Sequence, residues 1–443
     1  MVEVGFTDLN FLFRFLPLFF VLYFLCPVKY RNGILFVSGI LFCGLSSPVG
    51  AVVLSISIIV NYALTCLMDF SSNRIWLFLA VIFNVGQLCY FKYGADTLPP
   101  GISFYTFTLL SMDMDVWLRR EKPARSFTEL GAFTAMFPKL LSGPITSYED
   151  TIGQMRRRKY SAKKMEYGLS LAILGLSFKI LIADTVGILW RNIQTVGFES
   201  ISTPLAWMGA AAYSVQLFFD FQGYSLMAVG LGSMLGFDLP QNFDHPYRSR
   251  SISEYYRRWH MSLGRWFRDY LYIPLGGSRA GAFRTCFNLF VVWILTGIWH
   301  GITWNFLLWG LVLGLFITLE KFCLGKFLNA HKLLSRMYVW FLIPLTWVIF
   351  AITDLNSLGI YFTRLFPFWG NGIAVNPSDW IYHGKIYLGF FLAALAVSSP
   401  VADYLWKKFW NTPVAKGILF FLFWICVYRI VNGLHNPFLY LGF

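Results

Sequence analysis

The stretch Val49–Met68, VGAVVLSISIIVNYALTCLM, runs for twenty residues without a charge. An α-helix needs roughly 20 apolar residues to cross the hydrocarbon core of a bilayer. Similar runs recur at Phe11–Leu25, Ile75–Tyr90, Tyr167–Ile182, Pro204–Phe219, Phe306–Leu319, Met337–Ala351, Ile386–Val397 and Ala415–Val427. Some are short enough to be tilted, re-entrant or interfacial. Backbone N–H and C=O groups cannot go unpaired in lipid, so the spans are helices. The runs are continuous, and a β-barrel would alternate apolar with polar residues. The fold class is therefore all-α and integral to the membrane, with about ten segments, give or take about two.

Composition agrees. Of 443 residues, 57% are hydrophobic and 13% are charged. Soluble domains carry about 25% charged residues, so too few polar groups are present here to coat a water-facing surface. The formal net charge is +14. Lys and Arg gather at Arg119–Arg125, Arg156–Lys164 and Arg248–Arg284. The positive-inside rule accounts for these clusters as cytoplasmic loops, with membrane lipids as contacts and no nucleic acid implied. The seven cysteines are scattered with no CxxC pair, so neither disulfides nor metal ligands are indicated. The first apolar run lacks a cationic leader and a small-residue cleavage site, and is expected to be a retained span. Arg14 within it reads as a snorkelling or paired side chain.

The chain divides into N-terminal scaffold helices (1–95), a central core (96–320) and C-terminal helices (321–443). Within the core, Leu98-Pro99-Pro100-Gly101 and Phe137-Pro138 with Gly143-Pro144 break the helical pattern. Irregular backbone at membrane depth is tolerated where it lines a cavity. From Tyr255 to Tyr272, aromatic and basic residues interleave as in one helix lying at the interface.

Six histidines are present. His245 precedes a proline and reads as a turn residue. His331, His383 and His435 read as structural or solvated. His300 differs, lying between Trp299 and Gly301 in an otherwise apolar run. Intramembrane ionisable groups are functional hypotheses by default. A neutral imidazole there can accept a proton, and the flanking glycines would admit a substrate. The alternative is a hydrogen-bonded core histidine. His260 ends Arg257-Arg258-Trp259-His260, and is either interfacial or a second active-site member. Asp220 in Phe219-Asp220-Phe221-Gln222 is costly in lipid unless paired. It either orients a histidine or joins an ion pair. Gly276-Gly277-Ser278-Arg279 is either an anion-binding turn or an ordinary loop. No Walker, Rossmann, HExxH or GxSxG pattern is found.

The strings Phe219–Ser225, Leu239-Pro240-Gln241-Asn242-Phe243, Arg257–Leu263, Trp266–Gly277 and Thr296–Gly301 resemble the membrane-bound O-acyltransferases. They look most like the bacterial branch of alginate O-acetyltransferases, as do Leu98–Phe107, Phe137–Ile145 and Phe11–Pro17. The pattern departs from that branch at Gln222, Leu226, Lys139 and Gly442.

The resemblance implies a multi-helix bundle around a tunnel in the bacterial cytoplasmic membrane. It implies transfer of an acyl group, acetyl in this branch, from a cytoplasmic thioester to a cell-surface polysaccharide or an extracytoplasmic acetyltransferase acting as relay. The donor would be acetyl-CoA or another thioester, such as one on an acyl carrier protein. No tightly bound cofactor and no metal are expected. His300 matches the family's essential histidine and His260 the branch's second histidine, with Asp220, Trp299, Asn305 and Arg279 as candidates for holding substrate. Two further readings stand beside this one: D-alanyl transfer to teichoic acid, and a transporter using His300 and the buried acids as a proton relay.

Overall fold

The computed structural model describes residues 5–279, 281–369, 374–434, 436, 438 and 439. Within them all regular secondary structure is helical, with no strand. Nine of the described helices are long and apolar enough to cross a membrane, and Phe11–Leu25 adds a shorter apolar one. His435 and Gly442 lie outside the described residues.

The chain forms two compact units, each discontinuous in sequence. The first comprises 1–176, 223–241 and 418–442. It contains α1 (Pro48–Ser71), α2 (Arg74–Tyr93) and α3 (Ile102–Trp117). These three are joined by buried side-chain hydrogen bonds. Ser57 donates to Gln87, and Asn61 and Asn84 donate to one another at 3.2 and 2.7 Å. Asn84 also donates to Asp113 at 3.1 Å. Without water in the bilayer core, such exchange is how polar groups between helices are satisfied.

The expected break before α3 is present. Gly101 adopts φ +73°, and a Cβ there would lie 2.1 Å from the Leu140 carbonyl oxygen, so only glycine fits. The second break leaves the single turn Phe137–Leu140, whose Phe137 ring packs on Phe19 at 4.8 Å and Phe42 at 5.8 Å.

The second unit comprises 177–222 and 242–417. The helix α4 (Thr203–Met234) contributes its first part to it. Next come α5 (Ile252–Arg258), α6 (Met261–Phe267), α7 (Ala282–His300), α8 (Trp304–Leu319) and α9 (Lys332–Ala351). The α7–α8 hairpin is close-packed through glycine. A Cβ on Gly297 would sit 2.4 Å from the Phe306 carbonyl oxygen, and one on Gly310 2.5 Å from that of Trp293. The one long interfacial helix expected from Tyr255 to Tyr272 is not formed. Its α-helical pieces, α5 and α6, are separated at Trp259-His260, and a π-helical turn follows over Arg268–Tyr272.

Candidate active site

His300 is the last residue of α7. The helix stops because Gly301 turns to extended backbone, and its N–H closes back on the Gly297 carbonyl at 3.2 Å. Only 5% of His300 is exposed. Its imidazole is walled by rings: Trp299 at 4.5 Å, Phe350 at 4.9 Å, Trp309 at 5.4 Å and Phe306 at 6.1 Å between centroids. Phe350 and Trp309 meet it edge to face.

The glycines flanking His300 do not admit a substrate in this arrangement. Gly297 is taken up by the Phe306 backbone, and a Cβ on Gly301 would meet the Phe306 ring at 2.5 Å. Their role is to let α8 fold back against α7.

Asn305 is fully buried, and its carboxamide is used within the fold. Its Nδ2 donates to the carbonyls of Ile349 and Phe350 at 3.3 and 2.9 Å, and its Oδ1 accepts from Thr303 at 2.6 Å. It thereby ties the end of α9, and with it Phe350, to the hairpin beside His300. Trp309 was not singled out by sequence. It is 2% exposed, and its indole N–H has no acceptor among the described residues. A buried N–H without a partner costs about 1–3 kcal/mol, so such a group asks for a function. Its position nine residues beyond His300 across a turn carried no periodic signal.

His260 sits at φ +44°, ψ 52°, a left-handed conformation that is strained for any residue with a Cβ. The backbone is held there from both sides. Met261 N–H donates to the Asn242 carbonyl at 2.9 Å, and Ser262 Oγ to Asn242 Oδ1 at 2.6 Å. Asp244 N–H donates to the Arg258 carbonyl at 3.0 Å. The preceding α5 is fixed at its start by the Glu320 carboxylate, which accepts from the N–H groups of Ile252 and Ser253.

The His260 ring is 4% exposed and packs edge-on against Phe221 at 4.6 Å. Neither of its nitrogens has a hydrogen-bond partner among the described residues. His260 lies outside the nine spanning helices. Burial pushes its imidazole down to about 3, so it is neutral at physiological pH.

The two histidines belong to one aromatic cluster. From His260 the contacts run through Phe221, Phe243 at 5.1 Å, Trp259 at 5.0 Å, Trp347 at 4.9 Å and Trp309 at 5.8 Å to His300. Asp220 stands apart from them in an ion pair. Its carboxylate lies 2.7 Å from the Lys179 ammonium, which is also 2.6 Å from Asp184. All three side chains are at most 2% exposed. The helix carrying Lys179 and Asp184 widens into a π-helix over Phe178–Ala183, which brings these two residues to one face. Arg279 is not part of this cluster. It lies exposed in the turn after Gly276 (φ +105°) and Gly277 (φ +56°). That turn is pinned by Asn288, whose amide donates to the carbonyls of Leu275 and Gly277 at 3.2 and 3.0 Å.

Residues 70–363 match the MBOAT, membrane-bound O-acyltransferase family. The chain is similar to the probable alginate O-acetylase of Pseudomonas putida, at 33% identity over 99% of this chain and all of that protein. It is 36% identical to the probable alginate O-acetylase of Pseudomonas aeruginosa, over 82% of this chain and 75% of that protein. The peptidoglycan O-acetyltransferase of Helicobacter pylori is 29% identical over 78% of this chain and 77% of its own length.

Proposed function

We propose that this chain, which belongs to the membrane-bound O-acyltransferase family, moves an acetyl group from a cytoplasmic thioester to a hydroxyl at the cell surface. The chain is a multi-pass membrane acyltransferase. The hydroxyl would belong to an envelope polysaccharide or to an extracytoplasmic relay enzyme, and the membrane would be the bacterial cytoplasmic membrane. The names of its relatives, which concern alginate and peptidoglycan, support a carbohydrate acceptor.

The observation that carries the reading is His300, buried at the end of α7 among four aromatic rings. In this reaction the acceptor oxygen attacks the thioester carbonyl carbon while His300 takes the hydroxyl proton. Charge develops on the carbonyl oxygen of the tetrahedral intermediate. The unpartnered Trp309 N–H is the donor we assign to it. When the carbon–sulfur bond breaks, the imidazolium returns its proton to the thiolate. The products are the acetyl ester and the free thiol. Neutral His260 holds the acceptor or donor by hydrogen bonding, and Asn305 fixes Phe350 against His300.

The test is transfer of labelled acetyl from acetyl-CoA in reconstituted membranes. His300→Ala, present at the wild-type level, is expected to lose about a thousandfold or more in rate, the upper range for a general base. Transfer at the wild-type rate by that variant overturns the assignment.

A further inference from the structure

Residues 218–221 of α4 present two faces. Phe219 and Asp220 face the helix Ala162–Val196. Asp220 Oδ1 lies 2.7 Å from Lys179 Nζ, and the Phe219 ring meets Phe178 edge to face at 5.2 Å. Phe218 and Phe221 face the other way. Phe218 packs on Phe243 at 5.5 Å and on Trp259 at 6.1 Å. Phe221 packs on Phe243 at 5.1 Å and on the His260 ring at 4.6 Å. At 3.6 residues per turn, the midline of 219 and 220 is about 180° from that of 218 and 221. All of these residues lie in the second unit. This part of α4 therefore stands between the buried ion pair and the histidine, in contact with both.

Cohesion alone does not call for such a pair. Apolar side chains of similar volume would fill the space without bringing charges into a membrane helix, and that replacement is often neutral or stabilising. What the pair adds is direction. Apolar contacts tolerate a helix that rotates or slips. An ammonium shared between Asp184 at 2.6 Å and Asp220 at 2.7 Å holds one register. The π-helical turn over Phe178–Ala183, a rare geometry, is what sets Lys179 and Asp184 on one face. On the far side of α4 the demand for precision is evident. His260 is buried, its backbone is left-handed, and Phe221 lies edge-on against its ring. A rotation of α4 by about 20° would carry a ring about 5 Å from the helix axis through about 2 Å.

We propose that the Lys179–Asp220 pair positions His260, by fixing the rotation of α4 so that Phe221 holds the imidazole in place. In this arrangement neither charged side chain touches substrate, and both act through Phe221. The effect on transfer rests on the role given to His260 above; the effect on the ring does not.

The test is carbethoxylation of the histidines by diethyl pyrocarbonate at pH 7, read by mass spectrometry on the full-length protein in nanodiscs. Asp220→Leu removes the link and leaves Lys179 paired with Asp184, so no charge is stranded. A buried ring reacts only when the fold opens locally, so His260 is expected to be labelled about tenfold faster in Asp220→Leu than in the wild type. Asp220→Asn keeps an acceptor for the Lys179 ammonium and is expected to restore most of the protection. Labelling of His300, on α7, is expected to stay the same in all three proteins. With acetyl-CoA as donor, Asp220→Leu is expected to lose about tenfold or more in kcat, the scale of loss for a misplacement of about 1 Å, and Asp220→Asn to recover most of it. Where Asp220→Leu fails to fold, Lys179→Met combined with Asp184→Asn and Asp220→Asn also strands no charge, and the same rise at His260 is expected.

Wild-type labelling of His260 in a folded Asp220→Leu protein overturns the inference. So does equal acceleration at His260 and His300, which would mean a general loosening. Faster labelling at His260 alone with full acetyl transfer would leave the positioning role standing and count against His260 in the proposed function.

Discussion

His245 and His260 occupy the same local backbone. Both are left-handed, at φ +47° and +44°, and both precede a short helical turn or helix. Their surroundings are opposite. His245 has a carboxylate at each ring nitrogen, Asp244 at 3.1 Å and Asp403 at 3.4 Å, and both acids are half exposed. His260 is buried with no partner at either nitrogen among the described residues. Backbone strain alone therefore does not mark a site. At His245 it serves a turn whose ring nitrogens each face a half-exposed carboxylate. At His260 it is imposed by Asn242 on a ring whose hydrogen-bonding capacity is unused within the fold. Between α1, α2 and α3, Asn61, Asn84 and Asp113 bond to one another, while one Asp113 oxygen and the Tyr105 and Thr106 hydroxyls have no partner among the described residues. Around the histidines, the Trp309 N–H, the Asn242 amide nitrogen and both His260 nitrogens are left over. Each such atom around the histidines is a hydrogen-bonding group that the fold does not use.

The largest expected difference is in activity. His260→Gln keeps a polar side chain of similar reach but not the imidazole. If His260 holds substrate through both nitrogens, the rate falls about a hundredfold, the loss typical of one preorganised donor. His245→Gln, measured beside it, should transfer acetyl at the wild-type rate. Equal losses in the two variants would erase the distinction drawn here.

Much of this was legible in the sequence, and the reasons for the rest are specific. Uncharged runs such as Val49–Met68 announce spans because lipid leaves the backbone no alternative. Pro99-Pro100-Gly101 announces the start of α3, since proline and glycine act locally. His300 stood out as an ionisable group in an apolar run. The break at His260 was hidden, because Tyr255–Tyr272 has the composition of one amphipathic helix and the clamp comes from Asn242, far back in the chain. The Lys179–Asp220 pair was hidden for the same reason, and it depends on a π-helical turn that no composition signals. The Trp309 N–H was missed because seventeen tryptophans give no indication which one will lack an acceptor.

The next difference is in how stability depends on pH. An imidazole in the unfolded chain ionises near 6.5. Burial pushes His260 down to about 3, so the folded protein holds it neutral. Its contribution is fully present above pH of about 6.5 and is lost as pH falls toward about 3. The slope is about 1.4 kcal/mol per pH unit. Between pH 7 and pH 5 the wild type should lose about 2 kcal/mol more than His260→Gln. Thermal midpoints in detergent at the two pH values measure this. Parallel curves for the two proteins would mean that water reaches the ring.

The smallest expected effect is at the other histidine, and it fixes the scale of the contrast. Asp403 holds His245 from an amphipathic helix, Pro400–Phe409, whose Val401, Tyr404 and Leu405 are exposed. Even a full ion pair with a half-exposed acid is worth only about 0–1 kcal/mol. Asp403→Asn should therefore shift stability by less than about 0.5 kcal/mol at pH 7, as is usual for surface substitutions. The residual effect should shrink further in high salt, where exposed charges are screened. A loss of several kcal/mol, measured by the same thermal midpoints, would make the His245 turn a structural keystone. Left-handed strain would then carry the same weight at both histidines, and only the empty ring nitrogens of His260 would still set it apart.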